Sequence, residues 1–338
     1  MAAGNMSSQK PSAFQDWWQK TSQTRFIYMY LFPAFFVMTM ITFYPLFYQV
    51  WMSLTDYGVK NLKGTPPNFV GLDNYWYIFG GGLAAKLPNF NFWRLLGFNL
   101  FWTFSNVIVH VVAGVLIAVL LNVEGLWAKG IYRTLFVLPM VIPSLVIAVV
   151  WRNMFDPNFG AINVALASLG GLVGMAPEMF QIRWMEQINP PFPGIPLPLS
   201  FFAVLIANIW LGWPFMTIVA TGALQSIPKD LYEAASMDGA TSVQQFWGIT
   251  VPMIRPAMIP ATMLGLIMTF NQFNVIFFIS NGGPLRQTEI LVTIAFRLVN
   301  EQRLYGVAAA FSILIFFILL GLTLATNRIT KATESYDA

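Results

Sequence analysis

Ile227-Pro228-Lys229-Asp230-Leu231-Tyr232-Glu233-Ala234-Ala235-Ser236-Met237-Asp238-Gly239-Ala240-Thr241-Ser242-Val243-Gln244-Gln245-Phe246-Trp247-Gly248-Ile249-Thr250-Val251-Pro252 separates two long apolar runs. Pro228 suits the first turn of a helix, and Asp230 and Glu233 favour its positive N-terminal end. Asp238-Gly239 ends that helix, because glycine adopts a left-handed cap without steric cost. Thr241 with Gln244 reads as a capping box that opens a second short helix, and Pro252 is expected to stop it. The expectation is two short helices joined by a sharp turn, outside the membrane. Ala234, Ala235, Gly239 and Ala240 leave a bare surface that a partner can approach closely.

Outward from this elbow the chain is strongly apolar. It is 57% hydrophobic and only 9% charged, against roughly 25% charged in soluble domains. Six runs nearly free of charge follow one another: 26–54, 95–122, 134–151, 199–224, 257–280 and 305–326. About 20 helical residues span a hydrocarbon core of ~30 Å. Backbone polar groups in lipid must be satisfied within the segment, so the runs are expected to be helices. Their prolines (Pro33, Pro45, Pro139, Pro143, Pro214, Pro260) are expected as kinks. The first run is too long for a signal-peptide core and is read as a retained helix. A polar tail, 1–25, precedes it, with Phe14–Lys20 fitting an amphipathic turn on a membrane surface; a second tail is 328–338. Loop 225–256 carries the elbow.

Composition excludes several classes of function. There is no cysteine and one histidine, His110, so thiolate chemistry and polyhistidine metal sites have no ligands here. The net charge of +4 is dispersed over many loops, without the basic patch that nucleic-acid binding needs. No Gly-x-x-x-x-Gly-Lys-Ser/Thr occurs, so the chain has no Walker A loop to cradle ATP phosphates. The six runs hold no Asp or Glu, which disfavours an ion-coupled carrier. Lys and Arg divide equally between alternate loops, so charge alone does not orient the chain.

Glu233-Ala234-Ala235, Gly239 six positions after Glu233, then Ile249 and Pro252 resemble the signature loop of permease subunits in binding-protein-dependent ABC importers. Val251 stands where Leu is usual. The resemblance extends over most of 26–330 and is greatest to the carbohydrate branch, in particular the maltose/maltodextrin permease subunit. It is carried by Phe69-Val70-Gly71-Leu72-Asp73-Asn74-Tyr75, Tyr132-Arg133-Thr134-Leu135-Phe136-Val137-Leu138-Pro139, Asn281-Gly282-Gly283-Pro284, Thr288–Thr293 and Tyr305–Ala310. The enterobacterial form's large inserted outer domain and two extra N-terminal helices have no counterpart, and the insertion around 175–198 matches no motif that carries the resemblance.

The resemblance implies an all-α membrane protein with six transmembrane helices, the type I ABC importer permease fold. Its cytoplasmic coupling helix is Glu233, Ala234, Ala235, Asp238 and Gly239, with Ile249 and Pro252, docked on an ATPase. It implies a multi-pass protein of a prokaryotic inner membrane with both termini cytoplasmic. The implied partners are a second permease subunit, two ATPase subunits that bind ATP and Mg, an extracytoplasmic sugar-binding protein and membrane lipid. The subunit itself is a non-catalytic permease without cofactor. The implied cargo is maltose, maltodextrin or a related oligosaccharide; trehalose and glycerol phosphate stay open as alternatives, as does an ion-coupled sugar carrier.

Polar side chains in lipid should face the bundle interior or a watery path. On run four, Asn208, Gly212 and Phe215 fall on one helical face, bordered by Leu211. On run five Gly265, Met268, Thr269 and Gln272 share a face, and on run two Asn99, Thr103, Asn106 and His110 form a polar stripe. The resemblance implies that the faces of runs four and five line a sugar site, where amides exchange hydrogen bonds with hydroxyls and Phe215 stacks on a pyranose. Helix-on-helix packing fits the same residues equally well.

Overall fold

The computed structural model describes residues 28–123 and 125–330. The turn expected around Phe14 and most of both tails lie outside the described residues. The bundle and its elbow are framed by α1 (Tyr28–Ser53), α2 (Asp73–Phe79), α3 (Phe92–Asn122), α4 (Lys129–Val141), α5 (Ser144–Met154), α6 (Ala161–Gly171), α7 (Leu199–Gln225), α8 (Lys229–Met237), α9 (Val251–Phe270), α10 (Leu291–Asn300) and α11 (Tyr305–Thr330). Among the described residues the β structure is one bridge, Thr55 with Phe69. By length and composition five helices among the described residues can cross a membrane, or six if the bent pair α4–α5 is one span.

The third run is not the single helix expected. It breaks at Ile142-Pro143, and α4 and α5 meet at 96°. Pro143 lacks an N–H and disfavours the helical conformation at the residue before it, and Ile142 is extended at φ −80°, ψ 131°. Ser144 is then held from outside the helix, where Asn274 Nδ2 donates to its Oγ at 2.8 Å.

Pro252 does not stop the elbow's second helix. A helical turn, Ser242–Gln245, passes through a π-helical stretch, Phe246–Thr250, into α9. The wide π turn accommodates the ring, which would otherwise meet the carbonyl four residues back. Run five is not continuous to Ser280 either. It is interrupted at Asn271-Gln272, where Gln272 leaves the helical region at φ −74°, ψ 74°.

The bundle is organised on α3 packed along α7, with α9 crossing both. Glycine permits the closest approach: a Cβ on Gly114 would lie 2.4 Å from Met216 Cβ and 2.9 Å from its carbonyl carbon. Three apolar clusters are stacked along this axis. One joins α2, α10 and α11 to the start of α3; a second joins α5 and α7 around Trp102 and Phe201; a third, around Met216 and Ile254, lies beside the elbow. Residues 28–48 of α1 are all exposed within this chain, a surface suited to lipid or another subunit.

Loop one is tied down by motif residues. Asn74 Nδ2 donates to the carbonyls of Ser53 (2.9 Å) and Thr55 (2.8 Å). The Gly306 amide donates to the Tyr57 carbonyl at 2.9 Å, and a Cβ there would lie 2.5 Å from the Thr55 oxygen. The insertion at 175–198 is anchored through Asn163, which donates to the Ile182 carbonyl at 3.0 Å and accepts from Trp184 Nε1 at 2.8 Å.

Candidate functional site

The elbow is built almost entirely from local chemistry. α8 begins after Pro228, carries Asp230 in its first turn and ends at Gly239, whose φ is +83°. There the Gly239 amide donates to the Ser236 carbonyl (3.1 Å) and the Ala240 amide to that of Ala235 (2.9 Å), satisfying carbonyls that the helix end leaves open. Thr241 caps the second arm. Its N–H donates to Gln244 Oε1 at 2.7 Å, and its Oγ1 accepts from the Gln244 amide at 3.4 Å. Two side-chain bonds brace the arms against each other: Gln245 Nε2 to Ser236 Oγ at 2.8 Å, and Tyr232 Oη with Thr250 Oγ1 at 2.9 Å.

With its backbone satisfied, the elbow presents a prepared surface. Glu233, Ala234, Asp238 and Gly239 are exposed and Ala235 is half-buried. Ile249 is half-buried against the third apolar cluster, so it fastens the elbow to the bundle, while Pro252 is exposed. The motif does not reveal the large apolar side chains around it. Met237 is 89% exposed, Val243 67% and Trp247 65%, and Val243 and Trp247 stand one helical turn apart. Beneath the elbow, a cleft of about 690 Å³ is lined by Glu233, Tyr232, Gln245 and the ends of α3 and α7.

The polar residues of runs two, four and five form a seam deep in the bundle. Asn208 is its centre, 2% exposed. It donates from Nδ2 to Asn106 Oδ1 at 2.7 Å and accepts at Oδ1 from Gln272 Nε2 at 3.2 Å. Its own carbonyl lies 3.0 Å from His110 Nε2. Asn106 donates to the Trp102 carbonyl at 2.7 Å, and Trp102 Nε1 to the Thr269 carbonyl at 3.2 Å. Asn99 Nδ2 donates to the Phe270 carbonyl (3.2 Å), and Asn99 Oδ1 accepts from the Leu291 amide at 2.7 Å.

Asn208, Gln272 and Thr269 thus converge with the polar stripe of run two. Gly212 lies directly under the His110 ring, where a Cβ would come within 2.2 Å of Cε1, and Gly265 lies under Met216. Leu211 and Phe215 are half-buried in the second and third clusters. Met268 separates from its face: it is 63% exposed, beside Leu264 at 47%, while Gly265 and Thr269 are buried.

One buried charge network was not legible in the sequence. Glu289, 1% exposed at its side chain, accepts from Arg297 Nε at 2.6 Å. Arg297 Nη2 also donates to the Asn281 carbonyl and Oδ1, both at 2.8 Å, closing the turn after run five. Asn281 and Gly282 both have positive φ, 50° and 75°. Only the Asn-Gly pair signals this turn in sequence.

Comparison with known proteins gives the family and the fold. Residues 110–333 match the family described as binding-protein-dependent transport system inner membrane component. The chain is 31% identical to the maltodextrin transport system permease protein MdxF of Bacillus subtilis over 318 residues, covering 91% of this chain and 69% of that one. It is 30% identical to the trehalose/maltose transport system permease protein MalF of Thermococcus litoralis over 312 residues, covering 92% and 96%. A chain of a bacterial ABC transporter involved in import of the acidic polysaccharide alginate superposes with a TM-score of 0.75 at 20% identity, covering 95% of this chain and 100% of that one; this shows a shared fold. From matching sequence, helical architecture and the elbow together, the chain belongs to the inner membrane components of binding-protein-dependent transport systems.

Proposed function

We propose that this chain is one permease half of an ATP-driven importer that carries maltodextrin, maltose, trehalose or a related oligosaccharide into the cell by alternating access. The reading rests on the elbow, a self-capped, exposed pair of helical arms whose second arm runs without interruption into α9. A force applied to Glu233–Gly239 is transmitted along that helix to Gly265 and Thr269, beside the polar seam. A separate ATPase pair binds ATP and Mg and grips the elbow through Glu233, the small residues Ala234, Ala235 and Gly239, and the apolar Met237, Val243 and Trp247. This places the elbow and both termini in the cytoplasm. A second permease subunit completes the path, and an extracytoplasmic binding protein delivers sugar to its opposite end.

Sugar contact is assigned to Asn208, Leu211, Gly212 and Phe215 with Gly265, Thr269 and Gln272, and Met268, which turns away from this face, is left out of the assignment. Asn208 engages one donor and one acceptor within the protein, and an amide has two of each. The Asn208–Gln272 bond joins α7 to the break after α9, so it can be exchanged for sugar hydroxyls when the helices reorient. The seam contains no Lys or Arg, which favours a neutral sugar over a glycerol phosphate.

Uptake of radiolabelled oligosaccharides into cells carrying the whole transporter tests this directly. Glu233→Lys combined with Gly239→Pro is expected to abolish ATPase association and ATP-dependent uptake while the protein still reaches the membrane. Uptake that persisted in ATP-depleted cells with an intact proton gradient would instead support an ion-coupled carrier.

A further inference from the structure

Arg133 belongs to the Tyr132–Pro139 motif, yet neither the elbow nor the polar seam uses it. It sits one turn inside α4, at the end of the bundle that carries the elbow. Its Nε is buried and takes no hydrogen-bond partner. It lines a cavity of about 310 Å³ between α4 and α7. Gln225 and Thr221, near the end of α7, line it with Arg133, and further along the helices come the apolar Ile218, Pro214, Phe136 and Val137 with Thr217, whose hydroxyl is bonded to the Trp213 carbonyl at 3.2 Å. Among the described residues no acidic side chain lines the cavity. A guanidinium whose buried Nε has no partner within the described chain can take a compensating anion from outside it.

We propose that this cavity binds the phosphate headgroup of an anionic glycerophospholipid, with one acyl chain along the apolar wall. The guanidinium offers paired N–H groups to phosphate oxygens. Gln225 and Thr221 add hydrogen bonds, and the order of the lining, polar at the bundle end and apolar inward, matches the order of a lipid molecule from headgroup to chain. Basic pockets between membrane helices are general sites for such headgroups. Exposed Trp127, 83% accessible on the connection just before α4, marks the same interfacial level.

Native mass spectrometry of the full chain, released from nanodiscs of phosphatidylglycerol or of phosphatidylcholine, tests this. We expect one phosphatidylglycerol to be retained about ten times more often than phosphatidylcholine, Arg133→Gln to remove that preference, and Arg133→Lys to keep part of it. Gly222 also lines the cavity, and a Cβ there meets nothing within 4 Å. Gly222→Leu should therefore fold, fill the space and displace the lipid with the charge intact, which keeps the test valid if Arg133→Gln does not fold. Equal retention of both lipids, or unchanged retention in the variants, would overturn the proposal. So would loss of assembly with partner subunits in Arg133→Gln without any lipid on the wild type, which would assign the arginine to a subunit contact.

Discussion

Asp56 illustrates how much one side chain organises just beyond the membrane. Its carboxylate accepts from Lys60 Nζ at 2.7 Å, from the Asn68 amide at 2.7 Å and from Asn68 Nδ2 at 3.1 Å. The Lys60 hydrogen bond, followed by those from Asn68, holds its pKa at about 2, below the usual 3.8. Because the folded value is depressed, the clip's contribution is fully present above about pH 4 and is lost as pH falls through about 2. Hydrogen exchange of the Asn68 amide should therefore be flat from pH 7 to 4, after correction for intrinsic rates, and lose protection only below about 3. Asp56→Asn should remove that dependence. The positive neighbour Lys60 is visible in sequence; Asn68, twelve residues away, is not, because only the fold of loop one brings it back.

At the scale of elements, the elbow is where the sequence was most legible. Pro228, Asp230, the Asp238-Gly239 stop and the Thr241/Gln244 box all act locally, so their geometry follows from residue type and spacing alone. Gly239→Val puts a branched side chain at φ +83° and is expected to cost about 1–2 kcal/mol. Thr241→Ala removes the cap at about 1 kcal/mol. Gly239→Val should lower protection of the amides at the end of α8, and Thr241→Ala that of the second arm from Ser242 to Gln245, in hydrogen-exchange mass spectrometry, while both leave α3 and α7 unchanged. The membrane prolines were not readable in the same way. Pro139, Pro214, Pro256 and Pro260 lie inside helices that continue, whereas Pro143 breaks its run by 96°. Each lacks the same N–H. What differs is whether neighbours hold the residues beyond it in line, as Asn274 does out of line for Ser144.

For the molecule as a whole, the contact of α3 with α7 is decisive, because the bonds of Asn106 and His110 to Asn208 at the centre of the seam cross it. Gly114→Leu should force the helices apart at Met216. A cost of about 1–3 kcal/mol is expected for such overpacking, read as lower thermal stability in detergent and as lost ATP-stimulated uptake. The two glycines at the closest approaches, Gly114 and Gly212, look in sequence like many other membrane glycines; Gly97 and Gly130 lie in membrane helices too, and a Cβ on either meets nothing within 4 Å. The buried pair Glu289–Arg297 belongs to the same scale. A carboxylate eight residues before an arginine carries no signal until a turn folds one over the other.

The sequence alone determined that the chain is a helical membrane protein with a two-armed, self-capped elbow after its fourth apolar run. Burial length, charge depletion and capping are properties of short segments and are set by nearest neighbours along the chain. Tertiary structure alone decided which proline breaks its helix, that Asn106, Asn208 and Gln272 meet in one seam while Met268 turns away, and that Arg133 opens on an amphipathic cavity. Those outcomes depend on which helix faces which, and residues about a hundred positions apart, such as Asn106 and Asn208, are joined only when packing selects one rotation of each helix.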